Sequence, residues 1–218
     1  MNKELRELIG LTKVYIKELQ TSGVSDITVD DSPEGKKTLA QFFSEIKDCR
    51  RCGLAKTRTN LVFGEGNPNA ELVFIGEAPG YEEDRQGHPL VGRAGQLLNK
   101  ILKAMHMARS DIYICNVLKC RPPGNRSPLP EEVAACRPHL EEQLRLLTGK
   151  KVICCLGLHA AKCVLGLDLP LRELRKNWYQ HSDTPVRVTY HPAYLLRNPH
   201  DKGKVWNDMK KVMECLPK

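Results

Sequence analysis

The sequence predicts an α/β protein: a three-layer α/β/α sandwich with a central four-stranded parallel sheet. Three observations carry this. From residue 71 onward, short apolar runs alternate with amphipathic stretches, the order that a parallel sheet with crossover helices requires. Helix starts are marked, as at Pro130-Glu131-Glu132, where proline and two acids occupy a first turn. Hydrophobic residues make up 41% of 218 residues, enough for a packed core.

The elements follow in chain order. Leu5, Leu8, Ile9, Thr12, Ile16 and Leu19 recur at helical spacing, so residues 3–20 read as an amphipathic helix that Thr21-Ser22-Gly23 ends. This helix is expected to cover the main domain, with partner binding as the other use. Residues 21–36 are polar and rich in Ser, Asp and Gly, a linker. A second helix over 38–46 delivers the chain to Cys49. The expected division is therefore an N-terminal helix and linker, 1–40, and the main domain, 41–218. Residues 71–76 read as a buried strand, 94–107 as a helix, and 111–117 as a second strand. A helix begins at Pro130, a third strand spans 151–156, and a helix 158–165. The fourth strand spans 185–190 and a closing helix 201–215. Ligands in such folds gather at the carboxyl edges of the strands. Here those edges are Gly76-Glu77, Asn116, Gly157 and His191.

Composition narrows the setting. No apolar run approaches membrane-spanning length, and the first residues lack a signal-peptide pattern, so a cytoplasmic protein is expected. Nine cysteines in such a setting are not expected to form a disulfide framework. Residues 1–48 hold seven Lys/Arg and nine Asp/Glu, a net of −2, so the remainder carries +10 of the chain's +8. A basic body suits nucleic acid or another polyanion.

Cys49 and Cys52 form a C-x-x-C pair; Cys120 and Cys136 are each followed by Arg-Pro. Four thiolates can enclose an iron–sulfur cluster or a zinc ion. Cys115, Cys154, Cys155, Cys163 and Cys215 read as small buried hydrophobes. The loop Gly76-Glu77-Ala78-Pro79-Gly80 contains no G-x-G-x-x-G and no phosphate-binding P-loop follows, which disfavours a nucleotide site. His191, fixed by Pro192 at a strand end, is placed to act on a ligand. Asn116 can offer a donor and an acceptor side by side.

Together these segments resemble one family, the family-4 uracil-DNA glycosylases. The resemblance rests on Gly76-Glu77-Ala78-Pro79-Gly80, on the run from Asn116 through Cys120-Arg121-Pro122 to Arg126, on Ala135-Cys136-Arg137-Pro138, and on His191-Pro192-Ala193. It spans roughly residues 45–215. The resemblance implies excision of uracil from DNA, double- or single-stranded, by a monomer carrying a [4Fe-4S] cluster on Cys49, Cys52, Cys120 and Cys136. It implies that Asn116 reads the flipped base, His191 donates to uracil O2 and Glu77 positions the attacking water. Gly76, Ala78, Gly80, Glu83 and Leu90 then border the base, with Glu83 crowding the C5 side. Arg121, Arg126 and Arg137 face phosphates. Leu195 or Leu196 fills the gap left by the flipped base, and Arg197 meets a phosphate. Leu90 departs from the pattern, because the family usually has Phe there; Tyr81 is a candidate replacement ring. Residues 121–135 contain no His, unlike the DNA-crosslinking subtype, so ordinary turnover is expected. The rival classes are a non-catalytic damage sensor on the same fold and a metal-stabilised protein that binds acidic partners.

Overall fold

In the computed structural model, residues 37–217 are described; the expected helix over 3–20 and the linker lie outside them. Six strands form one sheet: β1 (Glu65–Gly66), β2 (Leu72–Gly76), β3 (Tyr113–Asn116), β4 (Val152–Leu156), β5 (Tyr179–His181) and β6 (Thr184–Thr189), in the spatial order β1-β3-β2-β4-β6-β5. The four inner strands are parallel, as expected. The two edges are additional and antiparallel. Neither edge has an apolar run to announce it. β1 is two residues long, and Gly66 is needed there because a Cβ would lie 1.9 Å from the Ile112 carbonyl oxygen. β5 returns into β6 through a tight turn with Ser182 at φ 51°. Short antiparallel edges of this kind blunt a sheet against further pairing.

The helices are α1 (Leu39–Ile46), α2 (Tyr81–Gln86), α3 (Arg93–Ala104), α4 (Pro130–Leu146), α5 (Leu158–Leu165), α6 (Leu171–Leu174), α7 (Pro192–Arg197) and α8 (Lys202–Glu214). Thr38 caps α1, accepting from the Gln41 amide while the Gln41 side chain accepts from the Thr38 amide. α3 stops three residues before its expected end, where His106 takes φ 58°. α2, α6 and α7 are too short for periodicity to reveal.

Every residue of β2, β3 and β4 is buried. Side chains alternate between the two faces. Val73, Ile75, Cys115, Ile153 and Cys155 pack with Leu140 and Leu144 of α4 and Ala160 and Ala161 of α5. Leu72, Phe74, Ile114, Val152 and Cys154 pack with Leu98 and Leu102 of α3 and with Val205, Met209 and Val212 of α8. These are the three expected layers. Four of the five cysteines read as core are buried, but Cys215, just past the end of α8, is exposed. No helix of the described residues is long and apolar enough to cross a membrane.

Candidate active site

The carboxyl ends of β2, β3 and β6 open onto a cavity of about 420 Å³. Glu77, Ala78, Gly80, Glu83, Leu90, Asn116, His191, Tyr194 and Arg197 border it, together with Arg126. Glycine at 76 is what lets two of them converge. A Cβ there would lie 2.3 Å from Asn116 Oδ1 and 3.8 Å from His191 Nε2, so any side chain would displace the asparagine. Asn116 is only 3% exposed. No side-chain hydrogen bond to it is formed by the described residues, although buried amides are ordinarily satisfied. Its donor and acceptor are left to whatever enters the cavity.

His191 precedes α7 and accepts the Ala193 amide on Nδ1 at 3.1 Å. That bond fixes the neutral tautomer: the proton sits on Nε2, which faces the cavity. Burial pushes His191 down to about 4; the nearby Glu83 carboxylate opposes this, and Arg197 adds to it. The ring is therefore a neutral donor at physiological pH. β6 behind it is anchored below the sheet. Arg187 and Thr189 both donate to the buried Asp208 of α8, each at 2.7 Å, and Arg175 adds a third contact at 2.7 Å.

Glu83 lines the cavity with its carboxylate already committed. One oxygen accepts from the Gly80 amide at 3.1 Å, the other from Val91 and Gly92 at 3.0 and 2.9 Å. It therefore clamps the loop of residues 77–80 to that of 90–92. Leu90 is buried in the core cluster and also borders the cavity, in a left-handed conformation with φ 49°. This is a costly backbone region for leucine. It is held by Arg109, which donates to the carbonyl oxygens of Pro89 and Leu90. Gly95 allows the approach, since a Cβ there would overlap the Leu90 carbonyl. Tyr81 is exposed beneath the Arg121 guanidinium, 5.1 Å from its ring, and does not border the cavity. The aromatic ring that does is Tyr194, stacked on Tyr190 at 4.7 Å and hydrogen-bonded through its hydroxyl to Asp201 at 2.7 Å.

The two leucines part company. Leu195 is 1% exposed in the core beneath α7, so it is not the DNA-facing wedge; helical geometry turns it inward. Leu196 points outward and is exposed. Arg197 is exposed beside it, with no ion pair among the described residues. The arginines near the cysteines are less free than expected. Arg126 makes two bonds to Glu132, at 2.6 and 2.9 Å. Arg121 donates to Asn125 at 2.7 Å, and Arg137 pairs with Glu141 at 3.3 Å on an exposed helix face.

Cys49, Cys52, Cys120 and Cys136 line one small cavity of their own, with Arg58, Lys119 and His139. Three groups already address the sulfurs: Arg58 donates to Cys120 at 3.1 Å, the Lys119 amide donates to Cys136 at 3.3 Å, and His139 Nε2 lies 3.3 Å from Cys49. Burial pushes the Cys136 thiol up to about 11, against the opposing pull of Lys119. Among the described residues, no three His, Cys, Asp or Glu side chains stand in the array a single metal ion needs. Lys119 carries no mark in the sequence, because a lysine is ordinarily a surface residue. It is 1% exposed. Its ammonium donates to the Asn116 carbonyl oxygen at 2.9 Å and to Gln143, whose amide in turn donates to the Phe63 carbonyl and the Tyr113 hydroxyl.

Residues 63–210 match the family described as Uracil DNA glycosylase superfamily. A type-4 uracil-DNA glycosylase of Archaeoglobus fulgidus is 42% identical over 192 residues, covering 84% of this chain and 95% of that protein. One from Thermotoga maritima is 42% identical over 190 residues, covering 84% and 97%. A type-5 uracil-DNA glycosylase of Pyrobaculum aerophilum is 32% identical over 177 residues, covering 73% and 77%. Identity and coverage are both higher for the type-4 enzymes, and the chain belongs to the uracil DNA glycosylase superfamily, in its type-4 branch.

Proposed function

We propose that this protein removes uracil from DNA by holding the flipped base in the cavity at the sheet's carboxyl edge and hydrolysing its N-glycosidic bond, leaving an abasic site for base excision repair. A base must leave the stack to be worked on. The observation that carries the assignment is the buried Asn116 side chain with no partner among the described residues, set beside the Nε2–H of a neutral His191. The asparagine amide donates to uracil O4 and its carbonyl accepts from N3–H. Cytosine presents the opposite groups and would leave both atoms unpaired, a large penalty. His191 donates to O2 as negative charge gathers on the departing ring. The Ala193 bond on Nδ1 holds that Nε2–H in place before the base arrives, and donors aimed at developing charge are the strongest catalytic device of this kind.

Glu77 orients the water that attacks the sugar carbon as the bond to the base breaks. The water's proton is released and the bonding electrons leave with uracil. Leu90 supplies one apolar wall and Tyr194 an aromatic border. Glu83 acts through the two loops it clamps, which keeps the C5 side closed by backbone rather than by its own carboxylate. Leu196 fills the vacated stack and Arg197 takes a phosphate; DNA, double- or single-stranded, is the partner of a monomer acting in the cytoplasm.

The four cysteines are the ligands of a [4Fe-4S] cluster. All four sulfurs border one small cavity, and four thiolates around one site are the ligand set that a four-iron cluster takes. The N–H donors on Cys120 and Cys136 suit sulfurs that carry negative charge. When bound, the cluster would supply a structural tie between the segment after α1 and the segments carrying Cys120 and Cys136. The test is alkali-induced strand cleavage of a uracil-containing oligonucleotide. Abasic sites made by the wild type and not by His191→Ala or Asn116→Ala support the enzyme. Salt-sensitive DNA binding without base release would instead identify a sensor.

A further inference from the structure

Three of the four parallel strands end in a residue with a role above: Glu77 after β2, Asn116 in β3, and His191 after β6. β4 is the fourth, and its edge also delivers a side chain. Gly157 turns the chain with φ 93°, and the place its Cβ would occupy lies 3.3 Å from the His191 Cβ. α5 then begins, seated in the core by Ala160, Ala161 and Val164. Its second residue is His159, whose Nδ1 stands 2.7 Å from Glu77 Oε2.

We propose that His159 is a positioning residue for uracil excision, holding one carboxylate oxygen of Glu77 so that the other is presented to the attacking water. The inference rests on reading Glu77 as the residue that orients that water. A glutamate at a strand end in a cavity mouth has three free torsions, and its side chain here is 33% exposed. Left alone it spreads over many rotamers, whereas attack on the sugar needs a near-fixed geometry. His159 is its one side-chain hydrogen-bond partner among the described residues. The choice of residue also has a reason. An imidazole can orient a carboxylate through a neutral N–H. A lysine or arginine would place a permanent positive charge beside a sugar that is itself becoming positive. The histidine comes from a rigid helix rather than a loop, which is how a positioning contact is kept precise in practice.

The bland alternative is an exposed pair with no measurable effect, as is common for such pairs. The two are separated by steady-state uracil release from a single-stranded uracil oligonucleotide, using wild type, His159→Ala, His159→Asn, Glu77→Ala and the double variant Glu77→Ala/His159→Ala. His159 is half-exposed, so the variants should fold, and equal melting temperatures verify it. The expected result is a fall in kcat of about tenfold for His159→Ala with KM unchanged. His159→Asn, whose amide can reach the place of Nδ1, should recover most of it. The double variant should be no slower than Glu77→Ala alone, since the histidine acts only through Glu77. Unchanged kcat in His159→Ala, or losses that multiply in the double variant, overturns the proposal. If Glu77→Ala by itself keeps full kcat, the role of Glu77 fails first and the proposal falls with it.

Discussion

The cavity at the sheet's carboxyl edge and the cysteine cavity lie at opposite ends of one five-residue stretch, Asn116 to Cys120, and they treat polar atoms in opposite ways. In the first, the Asn116 side chain and the His191 Nε2–H have no partner among the described residues. In the second, three of the four sulfurs are already addressed by Arg58, Lys119 and His139. Unanswered groups suit a visitor that arrives, reacts and leaves. Answered groups suit a resident that stays. The same backbone can therefore carry a transient site and a permanent one a few residues apart, provided only the transient one leaves its hydrogen-bonding capacity open.

The largest test of this contrast strikes the open groups. His191→Ala or Asn116→Ala should lower kcat/KM for uracil release by about 10²–10³, the usual cost of losing a donor aimed at developing charge, while iron content stays at the wild-type level. A variant that also lost its iron would show the two sites to be one structural unit. Cys136→Ala probes the resident site: anaerobically purified protein should change from brown to colourless with loss of iron and sulfide, and a colourless zinc-containing wild type would remove the cluster assignment. The neighbouring leucines come next. Leu195→Ala should cost about 2–5 kcal/mol of stability, as for a large core side chain. Leu196→Ala should leave the melting temperature unchanged and instead weaken excision from duplex DNA more than from single strands.

A smaller effect is expected from pH. His191 is held below the ordinary histidine range, to about 4. The unfolded chain therefore binds a proton that the folded one refuses between about 6.5 and 4, and this residue's contribution to stability falls as pH drops through that window. Its contribution to kcat/KM should persist to near pH 4, so a His191-dependent acid limb near 6.5 in the rate profile would contradict the Nε2–H assignment. Smallest is Leu90→Phe, expected to raise kcat/KM severalfold by restoring a stacking surface, in line with about 1–3 kcal/mol per stacked base; an unchanged or lower value would place that surface on Tyr194.

The parallel core was legible because its strands are uniform apolar runs and its helices are long enough to show a period. The edge strands were not, since two or three residues hold no pattern and their pairing depends on chain brought from elsewhere. Chemistry-bearing residues at strand ends stood out for the same reason: Asn116 and His191 interrupt apolar segments. Lys119 and His159 did not, because burial of a lysine and the pairing of a histidine with a glutamate 82 positions away are facts of tertiary structure. Leu195 and Leu196 show the limit most plainly. Adjacent and identical in type, they are told apart only by the rotation of a six-residue helix.

Lys119 makes the stretch between the two sites a ruler. Its amide is hydrogen-bonded to the Cys136 sulfur at one end while its ammonium holds the Asn116 carbonyl oxygen at the other. Substitutions within residues 117–119 change the strength of that tie, but an insertion or deletion of a single residue there changes its length. The reading frame of this short segment, more than the identity of its members, is what the pair of sites holds in common.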